Sequence, residues 1–124
     1  MQFVFDFEKL EVYKRSTSIM AGIFRLYNRL PQDLKFSVGD QIIRAGLSIS
    51  NNISEGSGKL TARDKRRFYN MALGSCREVV SILNIMKEEN LIDESTYKEL
   101  REKAIEINNM LKALSKTARD FSSY

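Results

Sequence analysis

The sequence predicts an all-α protein, an up-down-up-down antiparallel four-helix bundle. Three observations carry the prediction. Apolar residues recur at helical spacing in four long stretches. The breaks between the stretches are short, so consecutive helices must run antiparallel. Among 124 residues there are one proline, six glycines and no tryptophan, which suits helices better than a many-turned β fold. A chain of this length builds one core, so residues 1–124 read as a single domain.

Residues 1–7 (MQFVFDF) read as a short extended arm that packs on the bundle or on a neighbouring subunit. Helix one is predicted over about 8–30. On a wheel of about 100° per residue, Tyr13, Met20, Ile23, Phe24 and Tyr27 share a face that Val12, Ile19, Leu26 and Leu30 widen. This aromatic stripe is core in the simplest reading, rather than a cofactor-stacking surface. Pro31 ends the helix, because the residue before a proline avoids the α region.

Helix two is predicted over about 33–56, with Ile42, Ala45, Gly46, Ile49 and Ile53 as its apolar arc. A glycine inside a helix costs about 1 kcal/mol against alanine, so Gly46 predicts the close approach of another helix. Gln41, Arg44, Ser48, Asn52 and Glu55 form a polar stripe beside that arc. Two readings fit the stripe. It is either a ligand-facing row or, the favoured reading, a polar layer in which Arg44 pairs with Glu78 or Glu55 and Asn52 binds a helix backbone. Ile43 and Leu47 point away from the arc and predict a subunit interface.

Gly56 is the expected cap at the end of helix two, and Thr61, with Asp64 three residues on, at the start of helix three. Helix three is predicted over about 61–90. Phe68, Ala72, Ser75, Val79, Ile82, Leu83 and Met86 make one face, and Tyr69, Leu73, Cys76 and Val80 a second stripe beside it. Leu73 and Val80 join Ile43 and Leu47 as interface candidates. Cys76 reads as a small buried or interfacial hydrophobe. Asp93 caps helix four, predicted over about 93–121, whose stripe is Tyr97, Leu100, Ala104, Ile107, Leu111, Leu114, Ala118 and Phe121.

The net charge of +4 is local. Lys59, Arg63, Lys65, Arg66 and Arg67, set against Asp64, account for all of it, and elsewhere acids and bases balance. A basic cluster at a helix start attracts phosphates. A solvated first helical turn is the plainer alternative. The GSGK stretch that precedes it lacks the spacing of a P-loop and follows a helix rather than a strand.

Several chemistries lose their basis. The chain has no histidine, which removes Ser-His-Asp and Cys-His nucleophilic sites and the Glu-x-x-His pairs of di-iron bundles. No carboxylate cluster stands at metal-ligand spacing, so neither metal, cofactor nor enzymatic activity is expected. One cysteine excludes an internal disulfide and fits a reducing cytoplasm. No apolar run approaches the roughly 20 residues that cross a membrane.

Two patches resemble a known family, the four-helix-bundle proteins encoded in intervening sequences of bacterial 23S rRNA genes. Relatives include the accessory variability proteins of diversity-generating retroelements. The first patch is Gln41, Arg44, Ala45, Ser48, Ile49, Asn52, Ile53, Glu55 and Gly56; the second is Phe68, Ala72, Gly74, Ser75 and Glu78. The opening FEKLEVYKRS and the Leu30-Pro31 helix end are similar to the family's start. The resemblance implies a four-helix bundle assembling into a ring-like homo-oligomer, with a pentamer as the expected count. It implies a basic surface for RNA or DNA and, among the retroelement relatives, partnership with a reverse transcriptase.

The sequence therefore points to a non-enzymatic homo-oligomer associated with nucleic acid. Lys59, Arg63, Lys65, Arg66 and Arg67 would contact phosphates, with Arg15, Arg25 and Arg29 as lesser candidates. The alternative is a protein-interaction scaffold, such as an accessory subunit of a reverse transcriptase.

Overall fold

Four apolar stripes need a common interior, and the described residues supply one. The computed structural model describes residues 2–121, so Met1 of the predicted arm lies outside it, as do residues 122–124. The long helices are α1 (Glu11–Arg29), α2 (Asp40–Ser57), α3 (Ala62–Glu88) and α4 (Glu94–Lys116). Each packs on the next, and α4 returns against α1, closing an all-α antiparallel four-helix bundle. Ile19 and Ile23 of α1, Ile42, Ile49 and Ile53 of α2, Val79, Leu83 and Met86 of α3, and Leu100, Ile107 and Leu111 of α4 are fully buried along its axis. Phe24 is a departure. The sequence places it on the core stripe, but it lies at the stripe's outer edge and is 45% exposed.

The arm crosses the bundle end where α1 and α3 start. Asp6–Lys9 forms a 3₁₀ turn, and α1 begins only at Glu11 rather than at residue 8. At the far end Leu30 is extended, as a residue before proline must be. One turn, Gln32–Leu34, then leads through a π-helical stretch, Lys35–Gly39, straight into α2.

Small residues let α2 approach both neighbours. A Cβ on Gly46 would lie 2.4 Å from Met20 Sδ and 2.9 Å from Ile23 Cδ1, the close approach the sequence predicts. Ser50 donates to Ser16 across the α1–α2 contact at 2.8 Å, and buried Ser16 donates in turn to the Tyr13 carbonyl at 2.6 Å. On the other side, Ser75 of α3 donates to Ser48 of α2 at 2.7 Å.

The helix ends follow their caps, with two corrections. The Thr61 hydroxyl accepts from the Asp64 amide at 3.1 Å, and the Asp93 carboxylate from the Thr96 amide at 2.7 Å. Bonds from Thr96 hold the exposed Asp93 carboxyl below its ordinary range. Gly56, however, is not the cap of α2. The helix runs to Ser57, and Gly56 is needed because a Cβ there would lie 2.8 Å from the Tyr69 ring. The predicted fourth helix also stops early. It ends at Lys116, and Phe121 is carried back to donate its amide to the Leu60 carbonyl, leaving its ring 70% exposed. Thr117 caps α4, and Asp120 finds a stronger partner than another helical turn, namely a free amide at the start of α3.

The α3–α4 turn rests on Asn90, at φ 57° in the left-handed region. It sits between paired bonds, Asn90 N–H to the Lys87 carbonyl at 3.0 Å and Leu91 N–H to the Met86 carbonyl at 2.8 Å. Asn90→Val is therefore expected to cost on the order of 1–2 kcal/mol, because a branched side chain resists that conformation. Ile49→Ala, emptying the centre of α2, is expected to cost about 2–5 kcal/mol. Urea denaturation of each variant checks both.

Candidate nucleic-acid interface

Residues 59–67 span a short turn and the first turns of α3, a geometry that divides the five cations by helix position. Lys65 points inward and donates to the Ser57 carbonyl at 2.9 Å, closing the end of α2. Lys59 lies 3.7 Å from Glu55 and 4.9 Å above the Phe68 ring. The Arg67 guanidinium stacks on that ring from 4.6 Å. Arg63 and Arg66 are exposed and have no ion pair among the described residues. The cluster thus resolves into two lysines that tie the turn together and three outward arginines, Arg63, Arg66 and Arg67.

The helix start itself is already furnished with a carboxylate. Asp120, brought back by the segment after α4, accepts from the Ala62 amide at 2.7 Å. Thr61 takes the Asp64 amide. Two of the amides left free by the first turn of α3 are therefore satisfied within the chain. Nothing local in the sequence signals this, because Asp120 lies 58 positions from Ala62.

Of the lesser candidates on α1, Arg15 and Arg25 are engaged elsewhere, while Arg29 is exposed with no ion pair among the described residues. Arg15 pairs with Glu11 at 3.2 Å and with Glu106 of α4, and Arg25 lies 4.0 Å from Glu99. The pairs with Glu106 and Glu99 link α1 to α4, and each exposed pair contributes little to stability, about 0–1 kcal/mol.

The predicted polar layer is smaller than expected. Ser48, Asn52 and Ser75 form it: Asn52 donates to the Ser48 carbonyl at 2.9 Å and to its hydroxyl at 3.1 Å. Gln41, Arg44, Glu55 and Glu78 are exposed and stand outside it. The expected pairing of Arg44 with Glu78 or Glu55 does not form among the described residues, where Glu55 instead meets Lys59. The reason is rotational. The long polar side chains sit on the outer flank of the α2–α3 groove, and only the short hydroxyls and Asn52 turn into it.

The four interface candidates do not share one face. Ile43, with Gly46 and Ser50, is on the α1 side of α2 and packs half-buried on the core. Leu47 is 42% exposed at the outer ridge. Leu73 and Val80 are half-buried on α3, and Val80 lines a groove against α4 together with Cys76, Ala104 and Ile105. Cys76 is 2% exposed, and its thiol donates to the Ala104 carbonyl at 3.2 Å.

Burial pushes the Cys76 thiol from 9.0 up to about 11, partly offset by a backbone bond from Asn108. The folded protein is expected to resist alkylation by iodoacetamide at neutral pH and to react once unfolded in urea, read by intact mass. The same shift has a stability consequence. The thiol's contribution is complete below its ordinary range and is lost as pH rises from about 9 through about 11, which denaturation midpoints across that window check. Asp120→Ala is expected to cost about 0.5–2 kcal/mol through the unmet Ala62 amide, read by the urea midpoint.

Comparison with known proteins fits this architecture. A family model described as 23S rRNA-intervening sequence protein matches residues 8–113. Comparison with curated proteins finds no significant match. Among solved structures, the chain is similar to a crystal structure of a protein of unknown function from the S23 ribosomal protein family of Bacteroides thetaiotaomicron. The two are 28% identical with a TM-score of 0.79, over 86% of this chain and 99% of that one. The chain belongs to the family of 23S rRNA-intervening sequence proteins.

Proposed function

We propose that this is a non-enzymatic, self-associating bundle of the cytoplasm that holds nucleic acid by its phosphates through Arg63, Arg66 and Arg67. The observation that carries this reading is the location of the charge. The whole net charge of +4 lies in residues 59–67, and the three arginines there point to solvent without an acidic partner among the described residues. Guanidinium groups bind phosphate through paired, directed N–H bonds, giving affinity without sequence readout. The family's description, which refers to an intervening sequence of 23S rRNA, makes RNA the first nucleic acid to test.

Self-association is supported by the outer face of α2 and α3. Leu47, Met71 and Ile85 are 42%, 40% and 53% exposed there. Arg44 and Glu78 are exposed on the same face, with no ion pair among the described residues. Among the described residues, nothing beyond the chain neighbours of Gly74 and its own helix backbone lies within 4 Å of where a Cβ would stand. A bare glycine on an exposed helix costs about 1 kcal/mol with no gain inside the chain, and the close approach of another copy's helix would give it a use. Repeating the arginine face around an assembly multiplies weak phosphate contacts. Five copies is the count to test first.

Titration against RNA and duplex DNA at low and moderate salt tests the phosphate reading. Charge reversal at Arg63, Arg66 and Arg67 together is expected to weaken low-salt binding by about tenfold or more and to flatten its salt dependence. Absence of low-salt binding, or binding indifferent to the reversal, overturns it. The assembly is read by light-scattering mass. Arg44→Glu and Glu78→Arg are each expected to lower that mass and the double exchange to restore it. A monomeric mass for the unmodified protein refutes the assembly.

A further inference from the structure

We propose that the nucleic acid bound at this end of the bundle is single-stranded, its unpaired bases stacking on Phe3 and Phe5 of the N-terminal arm. The proposal rests on the phosphate reading above and names the form of nucleic acid that the site takes. The topology supplies the juxtaposition. The start of α1, the end of α2, the start of α3 and the end of α4 lie together, so the arm, the basic turn and the segment 117–121 share one end.

The arm crosses that end as a ladder of rings. Phe3 meets Phe5 at 4.9 Å between centroids, Phe5 meets Phe7 at 5.6 Å, and Phe7 meets Tyr13 of α1 at 4.9 Å. The inner rungs, Phe7 and Tyr13, are half-buried, whereas Phe5 is 55% and Phe3 80% exposed. The ladder is thus fixed at its base and ends in two aromatic side chains held largely in water. Exposed apolar groups gathered in this way mark a contact surface.

The surroundings say what the contact is. The arm is separated from α3 by a cleft of about 260 Å³, lined by Asp6, Lys65, Tyr69, Thr117 and Arg119 among others. Arg119 lies in this cleft, and Arg63, Arg66 and Arg67 stand on the outward side of the same end of α3. Exposed rings at the same end of the bundle as a group of outward arginines suit a single strand, whose backbone meets the cations while its bases turn out and stack. A duplex hides its base faces by stacking them on one another, so it would meet the arginines and gain nothing from the rings.

The chain has no tryptophan, so Phe5→Trp places a sole indole on the ladder. Its fluorescence is expected to be quenched by a fluorescein-free oligothymidylate and not by a duplex of the same length. In parallel, the Phe3→Ala/Phe5→Ala variant is expected to bind labelled oligothymidylate about tenfold more weakly than the unmodified protein, with duplex binding and solution mass unchanged. Equal binding of strand and duplex, equal losses on both, or an unquenched indole on strand binding overturns the proposal. A fall in mass for the double alanine variant also overturns it, by assigning the rings to a second copy of the chain. Failure of both nucleic acids to bind at low salt strikes the phosphate reading itself, so the two failures are distinguishable.

Discussion

The bundle depends on how closely α2 can lie between α1 and α3. Gly46 has no side chain where Met20 and Ile23 fill the space, and Gly56 none where the Tyr69 ring rests. Between these points the contacts are made by hydroxyl pairs, Ser16 with Ser50 and Ser48 with Ser75. A hydroxyl pair bridges two helices at short range and satisfies both groups, whereas a longer polar residue would separate them or be left unpaired. The isoleucines of α2 can then reach the axis and be fully buried. The polar patch at Ser48, Asn52 and Ser75 is therefore architecture.

The same economy shapes the basic end. Five cations in nine residues are not five equivalent binding groups. Lys65 closes α2, Lys59 is shared between Glu55 and Phe68, and the outward positions fall to arginines. The carboxylate of Asp120 meets the polarity of the α3 helix start. What remains exposed is a set of guanidinium groups on a helical surface, at the same end of the bundle as an arm whose outer rings are largely in water. In the groove that contains Cys76, burial raises the pKa of the thiol to about 11.

Much of this was legible by periodicity. The stripes of α1, α2, α3 and α4 name nearly every buried residue, because a helix offers one face at a time and that face must be apolar. Gly46 and Thr61 were legible because each has one local physical use. Gly56 was misread since a glycine near a helix end is ordinarily a cap; the ring of Tyr69, 13 residues on, supplies the real reason. The Arg44–Glu78 pairing was misread because complementary charge was visible while the rotation of α2 against α3 was not. Phe121 kept helical phase with the α4 stripe, but phase says nothing about a competing partner at Leu60 and Ala62.

The sequence by itself determined the helical class, the order of the elements, the core stripes and the confinement of the net charge to one short stretch. Each of these is a property of spacing along the chain. Only the tertiary structure decided which cations are occupied and which are free. It also decided that Asp120 reaches the start of α3, and that the arm, the basic turn and the last described residues meet at one end. Those outcomes depend on side chains from different helices competing for the same partners, which spacing along the chain does not encode.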